Sequence, residues 1–220
     1  MDFLKDKIKP MYLKYLSVAF GSAIITSIYS IVDMAMVGQY QGPDGTAALA
    51  VVAPVWNVIY SLGLLTGIGG CVIFSTKRAG AEKSGGGENQ YFTASVLGSV
   101  ILAAAAWICI IIFERPILTF FGADSALLEL ALEYMSPIKY VFPLFLFNQM
   151  LAAFLRNDKN PGLATAGVLS GGIFNIAGDY YFVFVMDMGV KGTGLATAIG
   201  SCISFIVLMS HFISRKNTLR

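Results

Sequence analysis

The sequence predicts an all-α membrane protein with six transmembrane helices and both termini in the cytoplasm. Of 220 residues, 56% are hydrophobic and only 13% are charged, against about 25% charged in a soluble domain. Mean hydropathy is +0.72, and the apolar stretches reach the roughly 20 residues that a bilayer crossing needs. The lysines and arginines gather on alternate connections. Helix is the assignment left, because an open sheet edge has no hydrogen-bond partners in lipid and barrel strands would alternate polar with apolar.

The first span, 11–39, far exceeds a signal peptide's apolar region of about 7–15 residues. No small-residue cleavage site follows it, so it is expected to remain as the first helix. Gly38, Gly42 and Gly45 punctuate the turn into the second span, 46–75. A polar loop, 77–88, leads to the third span, 90–113. An interfacial helix over 125–134, carrying Glu129 and Glu133, then feeds the fourth, 135–155. Pro143 and Asn148 there read either as a kink lining a cavity or as ordinary packing, and Phe142, Phe145, Phe147 and Phe154 as lipid-facing or core positions. The loop 156–161 precedes the fifth span, 162–186, and the sixth runs over 192–213.

Orientation follows from the positive-inside rule. Lys5, Lys7, Lys9, Lys14, Lys77, Arg78, Lys83, Arg156, Lys159, Arg215, Lys216 and Arg220 lie on one side, and Arg115, Lys139 and Lys191 on the other. The basic residues form no stripe, which argues against nucleic acid as a partner. Cys71, Cys109 and Cys202 are odd in number and fall in apolar segments, so they read as small buried hydrophobes. His211, at the end of the last span, reads as an interfacial residue.

Two carboxylates interrupt this pattern. Asp33 and Asp179 lie inside apolar spans, where a charge costs about 2.5–3.5 kcal/mol at the bilayer centre and marks an ion, proton or substrate pathway by default. Asp33 lies five residues before Gly38, and Asp179 eight before Asp187. At 1.5 Å per residue both fall roughly 7–12 Å inside their helix ends. Thr197, five residues into the sixth span, reaches a similar depth. Tyr29 and Asn175 each precede an aspartate by four residues, which puts them on the same helix face. Carboxylate, amide and hydroxyl oxygens suit a hard cation such as Na⁺; the same carboxylates can instead hold a proton. Gly45-Thr-Ala-Ala-Leu-Ala50 and Gly192-Thr-Gly-Leu-Ala-Thr197 echo one another after the two aspartates, as a weak repeat or a shared packing motif.

Ser30-Ile-Val-Asp-Met-Ala-Met-Val-Gly38 resembles the first-helix signature of multidrug and toxic compound extrusion (MATE) transporters. Asn89-Gln-Tyr-Phe-Thr93, Phe154-Leu-Arg-Asn-Asp-Lys-Asn-Pro161, Phe174-Asn-Ile-Ala-Gly-Asp179 and Met188-Gly-Val-Lys-Gly-Thr-Gly-Leu-Ala-Thr197 continue in that family's order and spacing. The resemblance implies that 1–220 is an amino-terminal six-helix lobe. It implies a cation site formed by Asp33, Asn175, Asp179 and Thr197, with Tyr29 and Asn148 as second members, and no cofactor beyond the coupling ion, Na⁺ or H⁺. It further implies export of small amphipathic organic cations from a multi-pass protein of the plasma membrane, of the bacterial inner-membrane type. Family members have two such lobes, so the expected partner is a carboxy-terminal lobe or a second copy. The first span holds no proline, unlike members whose first helix bends at one.

Two other readings compete. A lipid-linked oligosaccharide flippase of the same superfamily would favour basic residues around its cavity, whereas these spans hold acids. An intramembrane aspartyl protease would also use two aspartates, but Ile176 stands where the Gly-x-Gly-Asp motif has its first glycine, and valine precedes Asp33.

Overall fold

A computed structural model describes residues 8–81, 87, 89–158, 160–214 and 217–219. Lys5, Lys7, Lys83, Lys159, Arg215, Lys216, Arg220 and half of the loop 77–88 lie outside the described residues, so the charge asymmetry remains a reading of the sequence. Helices α1 (Ile8–Gln41), α2 (Pro43–Ala81), α3 (Asn89–Phe120), α4 (Ser125–Ile138), α5 (Phe142–Asn157), α6 (Pro161–Tyr180) and α7 (Gly189–Met209) follow in order. A π-helical turn, Tyr181–Val185, extends α6, and a 3-10 turn, Ser210–Ile213, extends α7.

The expected fourth span, 135–155, is not one helix. It breaks after Ile138, and α4 and α5 meet at a bend of 61°. Proline explains the break, because Pro143 has no N–H to give an upstream turn and pushes the preceding residue out of the α region. Pro143 occupies the first turn of α5, where neither defect matters. The short helix expected at 125–134 therefore runs on to Ile138, with Asp124 capping it by accepting from the backbone N–H groups of Ala126 and Leu127 at 3.0 and 2.9 Å. Its Ala131, Tyr134, Met135 and Ile138 are buried inside the bundle.

Helix α3 also outruns its expected end, reaching Phe120 rather than 113, and kinks at Phe113. The Pro116 ring displaces the carbonyl one turn earlier, at Ile112, which is where the kink falls. Leu97, Val100, Ile101, Ile108, Ile111 and Ile112 of α3 are exposed, an arrangement that suits lipid. Cys109 is exposed on the same helix, contrary to the buried role expected for it, whereas Cys71 is buried. Among the described residues four helices are long and apolar enough to cross a membrane, and the bent α4–α5 pair makes a fifth. Helix α1, several of whose side chains up to Thr26 lie outside the described residues, is not in that count.

Two apolar cores hold the bundle. One gathers Val37, Val52, Ile59, Tyr134, Ile138, Phe142 and Leu146. The other packs Phe74, Phe92 and Phe154 edge to face, with ring centroids 5.8 and 5.1 Å apart, beside Leu155 and Leu208. Phe142 and Phe154 are thus core residues.

Glycine sets the closest contact, between α6 and α7. A Cβ on Gly171 would lie 2.6 Å from the Gly200 carbonyl oxygen, and one on Gly200 2.7 Å from that of Gly171. A Cβ on Gly194 would lie 2.1 Å from the Tyr134 carbonyl oxygen, which seats α4 on α7 in the same way. Backbones this close gain dispersion contacts that lipid cannot supply. The echo of the two Gly-Thr segments has a packing counterpart: Gly45 meets Val37 of the preceding helix, and Gly192 meets the Phe182 backbone.

His211 is fully buried, not interfacial. Its Nε2 lies 2.7 Å from Asp158 Oδ2. Its Nδ1 lies 3.1 Å from the Asn160 amide nitrogen, so Nδ1 accepts and Nε2 donates to the carboxylate. Arg78 Nη1 (3.0 Å), the Thr218 backbone N–H (3.0 Å) and the Thr218 hydroxyl also donate to Asp158. Burial would push this carboxyl up, but the donors from Thr218, His211 and Arg78 outweigh it and hold the group below the ordinary carboxylate range. Asp158 thereby ties α2, the α5–α6 loop, the turn after α7 and residues 217–219 into one knot.

Candidate functional site

Antiparallel packing at Gly171 and Gly200 fixes which side chains meet. One turn beyond Gly171 on α6 is Asn175, and one turn before Gly200 on α7 is Thr197. They face each other, and the Asn175 amide donates to the Thr197 hydroxyl at 3.1 Å. Helix α1 lies along α6. Tyr40 near its end donates to Asp187 at 2.7 Å, beside the turn into α7. That attachment brings the inward face of α1, with Asp33 and Val37 buried, against α6 and α7.

Thr197 then donates to Asp33 Oδ2 at 3.5 Å, and Asp179, one turn beyond Asn175 on the same face of α6, is buried with them. Asp33 is 6% exposed, Asn175 3% and Asp179 0%. The four residues expected to form one site are therefore brought together by α1, α6 and α7. The π turn begins two residues after Asp179; such turns interrupt helices mostly at functional sites.

The donor chain runs one way, from the Asn175 amide through the Thr197 hydroxyl to Asp33. It leaves Asp33 Oδ1, Asn175 Oδ1 and both Asp179 oxygens buried without a hydrogen-bond partner. Unpartnered polar groups in an apolar interior are costly. Every one of these oxygens is an acceptor when the carboxyls are ionised, a donor set whose chemistry fits a proton, a hard cation or a donating water.

The two expected second members, Tyr29 and Asn148, both line the larger cavity beside this cluster. No hydrogen bond from Tyr29 to Asp33 is present among the described residues; instead Tyr29 lines both adjacent cavities. Asn148 donates to the Ser201 carbonyl oxygen and hydroxyl at 3.0 and 3.1 Å, which ties α5 to α7 and leaves its own Oδ1 unpartnered. Tyr134, which sequence reasoning did not single out, comes in from α4 beside Thr197 and Asp33. Its only signal was a phenol on the buried stripe of a short amphipathic helix.

One cavity, of about 530 Å³, runs between α1, α2, α5, α6 and α7, and includes Asn148, Asn175, Thr197 and Ser201. A second, of about 270 Å³, is walled by Asp33, Met34, Trp56, Asn57 and Tyr134. Tyr29, Tyr60, Phe145, Gln149 and Thr197 line both. Of the cluster, Thr197 thus stands at their common wall, with Asn175 facing the larger cavity and Asp33 the smaller.

A helical bundle with a buried acid cluster between two polar-walled cavities is the architecture of a membrane transporter lobe. The sequence matches the family described as MatE over residues 19–181, and the chain belongs to this family of multidrug efflux transporters. Membership removes the protease reading, since the family consists of transporters and not enzymes. The multidrug export protein MepA of Staphylococcus saprophyticus is 23% identical over 198 residues, covering 90% of this chain and 43% of MepA. A crystal structure of MATE in the bent conformation superposes with a TM-score of 0.82 at 22% identity, covering 92% of this chain and 44% of that one. A second solved structure, of a Pyrococcus furiosus transporter described as having a binding pocket of reverse polarity, gives a TM-score of 0.80 at 23% identity, covering 90% of this chain and 43% of that one. The chain spans less than half the length of these relatives.

Proposed function

We propose that residues 1–220 form the amino-terminal, six-span lobe of a cation-coupled antiporter that exports amphipathic, cationic organic compounds. Asp33, Asn175, Asp179 and Thr197 hold the coupling ion, Na⁺ or H⁺. The observation that carries this reading is the set of unpartnered buried oxygens on Asp33, Asn175 and Asp179, linked through Thr197 at the wall shared by both cavities. The names of the MepA relatives, multidrug export proteins, support the cargo class.

The geometry supplies a coupling route. With both carboxyls ionised and no cation, the mutual repulsion of Asp33 and Asp179 favours separating α1 from α6; a bound Na⁺ or proton favours the closed contact. An ion that binds one packing better than the other shifts the equilibrium by that difference and no more. Thr197 and Tyr29 line the cavities directly, so a shift of α1 reshapes the space that cargo occupies.

The purified chain is expected to bind radioactive Na⁺ saturably, with protons competing, or to show protonated carboxyl bands in its infrared spectrum. Absence of both would remove the ion-site reading. Orientation, with both termini cytoplasmic, is checked by single cysteines in a background without Cys71, Cys109 and Cys202. Cysteine at Asp44 or Asp187 should react with impermeant thiol reagents in intact cells, and one at Ser214 should not; the reverse pattern overturns the orientation.

A flippase for lipid-linked oligosaccharides is the second reading. Among the described residues the one charged residue lining the larger cavity is basic, Arg156. One base falls short of the lining such cargo favours, while Asp33 lines the smaller cavity, so the cation-coupled reading keeps precedence.

A further inference from the structure

Among the described residues, Arg156 is the one charged residue lining the 530 Å³ cavity. It projects from the last turn of α5, eight residues beyond Asn148 and so about 12 Å further along the helix. Its Nε is buried without a partner. Among the described residues no hydrogen bond or ion pair engages its guanidinium. The nearby Arg78 provides the contrast, because it holds Asp158 at 3.0 Å. Asp158, two residues beyond Arg156, is already occupied by Arg78, His211 and Thr218. The carboxylate at this end of the lobe is taken, and Arg156 is left facing the cavity.

A guanidinium is a rigid fork of donors that matches carboxylate and phosphate oxygens two at a time. Beside it the cavity wall is mixed: Phe145, Val168 and Leu208 are apolar, and Ser204 is polar. We propose that Arg156 makes the α5–α6 end of this cavity an anion-accepting subsite for amphiphiles that carry a carboxylate or phosphate group, with their apolar body along Phe145, Val168 and Leu208. The amide of Asn175 and the hydroxyl of Thr197, which belong to the ion-site cluster, lie further along the same cavity, so Arg156 supplies its charged complement among the described lining residues. The subsite rests on the transporter reading for its purpose, while its binding chemistry stands alone.

The test uses the 220-residue chain in neutral maltoside micelles with dansyl-undecanoic acid and its methyl ester as probes. The acid is expected to bind about tenfold more tightly than the ester, the scale of one charge-assisted bidentate contact. Arg156→Gln should remove that preference without changing ester binding, and Arg156→Lys should restore part of it. Dodecyl phosphate should displace the acid at concentrations where inorganic phosphate does not. Equal affinity of the wild-type chain for acid and ester overturns the proposal even if no variant folds. So does an Arg156→Gln chain that loses acid and ester alike. Displacement by inorganic phosphate as effective as by dodecyl phosphate overturns the amphiphile, leaving a site for free anions. Na⁺ binding measured on the same samples reports the acid cluster, so failure there and failure here are told apart.

Discussion

Asp33→Asn and Asp179→Asn should each weaken Na⁺ or proton binding by about a hundredfold. Removing one partner of a buried charge cluster costs about 3–5 kcal/mol, and each 1.4 kcal/mol is tenfold. Asparagine keeps the volume and one oxygen of aspartate, so α1, α6 and α7 should still pack, and a fall in binding reports charge rather than collapse. If the two carboxyls share one ion, as proposed, either variant should weaken binding at the whole site and not at one half of it. Thr197→Ala should cost less, about tenfold, because it removes an orienting hydroxyl and no charge. In a two-lobe transporter carrying this lobe, either asparagine variant should abolish resistance to cationic drugs at unchanged expression. Export at the wild-type rate by either one would show that the carboxyls do not share a coupled site.

The residues of that cluster were legible in the sequence for a simple physical reason. A carboxylate in an apolar span is conspicuous, and helical spacing assigns its neighbours to a face. What spacing cannot give is the relation between helices. Asp33 could be set beside Asp179 only once the reciprocal contact of Gly171 with Gly200, and the Tyr40–Asp187 hydrogen bond, had placed α7 on α6 and α1 beside both.

Tyr29 illustrates the same limit from the other side. Its spacing puts it on the Asp33 face of α1, but only the packing of α2, α5 and α7 around that face makes it a wall of both cavities. Hydropathy runs smoothly through 135–155 while the chain bends by 61°, because Pro143 acts on backbone geometry and leaves apolarity unchanged. His211 misled in a related way. Beside Arg215 and Lys216 it looked interfacial, yet Asp158 and Asn160, fifty residues earlier, supply partners that allow full burial. A local reading has no access to partners that distant.

The 220-residue chain by itself should bind the coupling ion and export nothing. Transporters of paired repeats place cargo between two units and achieve alternating access by moving one against the other. Both cavities here draw walls from α1, α2, α5 and α7, with α6 added to the larger one and Tyr134 of α4 to the smaller, and these helices form a single unit around one acid cluster. Tyr12, Leu13, Leu16, Phe20, Ile24, Ile28, Ile31 and Met34 leave one side of α1 exposed and apolar next to them. Ion binding can change how α1 packs, but with no second wall such a change opens no path from one side of the membrane to the other. In liposomes the chain should therefore show no gradient-driven efflux of ethidium and should tend to self-associate through that side. Coexpression with a matching carboxy-terminal half should restore export, because the second unit supplies the missing wall. Efflux by the chain alone would contradict this and would require two copies to enclose one cavity, with two Asp33 and two Asp179 side chains around it. Cross-linking of single cysteines at Ile24 or Ile31 would then trap the active dimer.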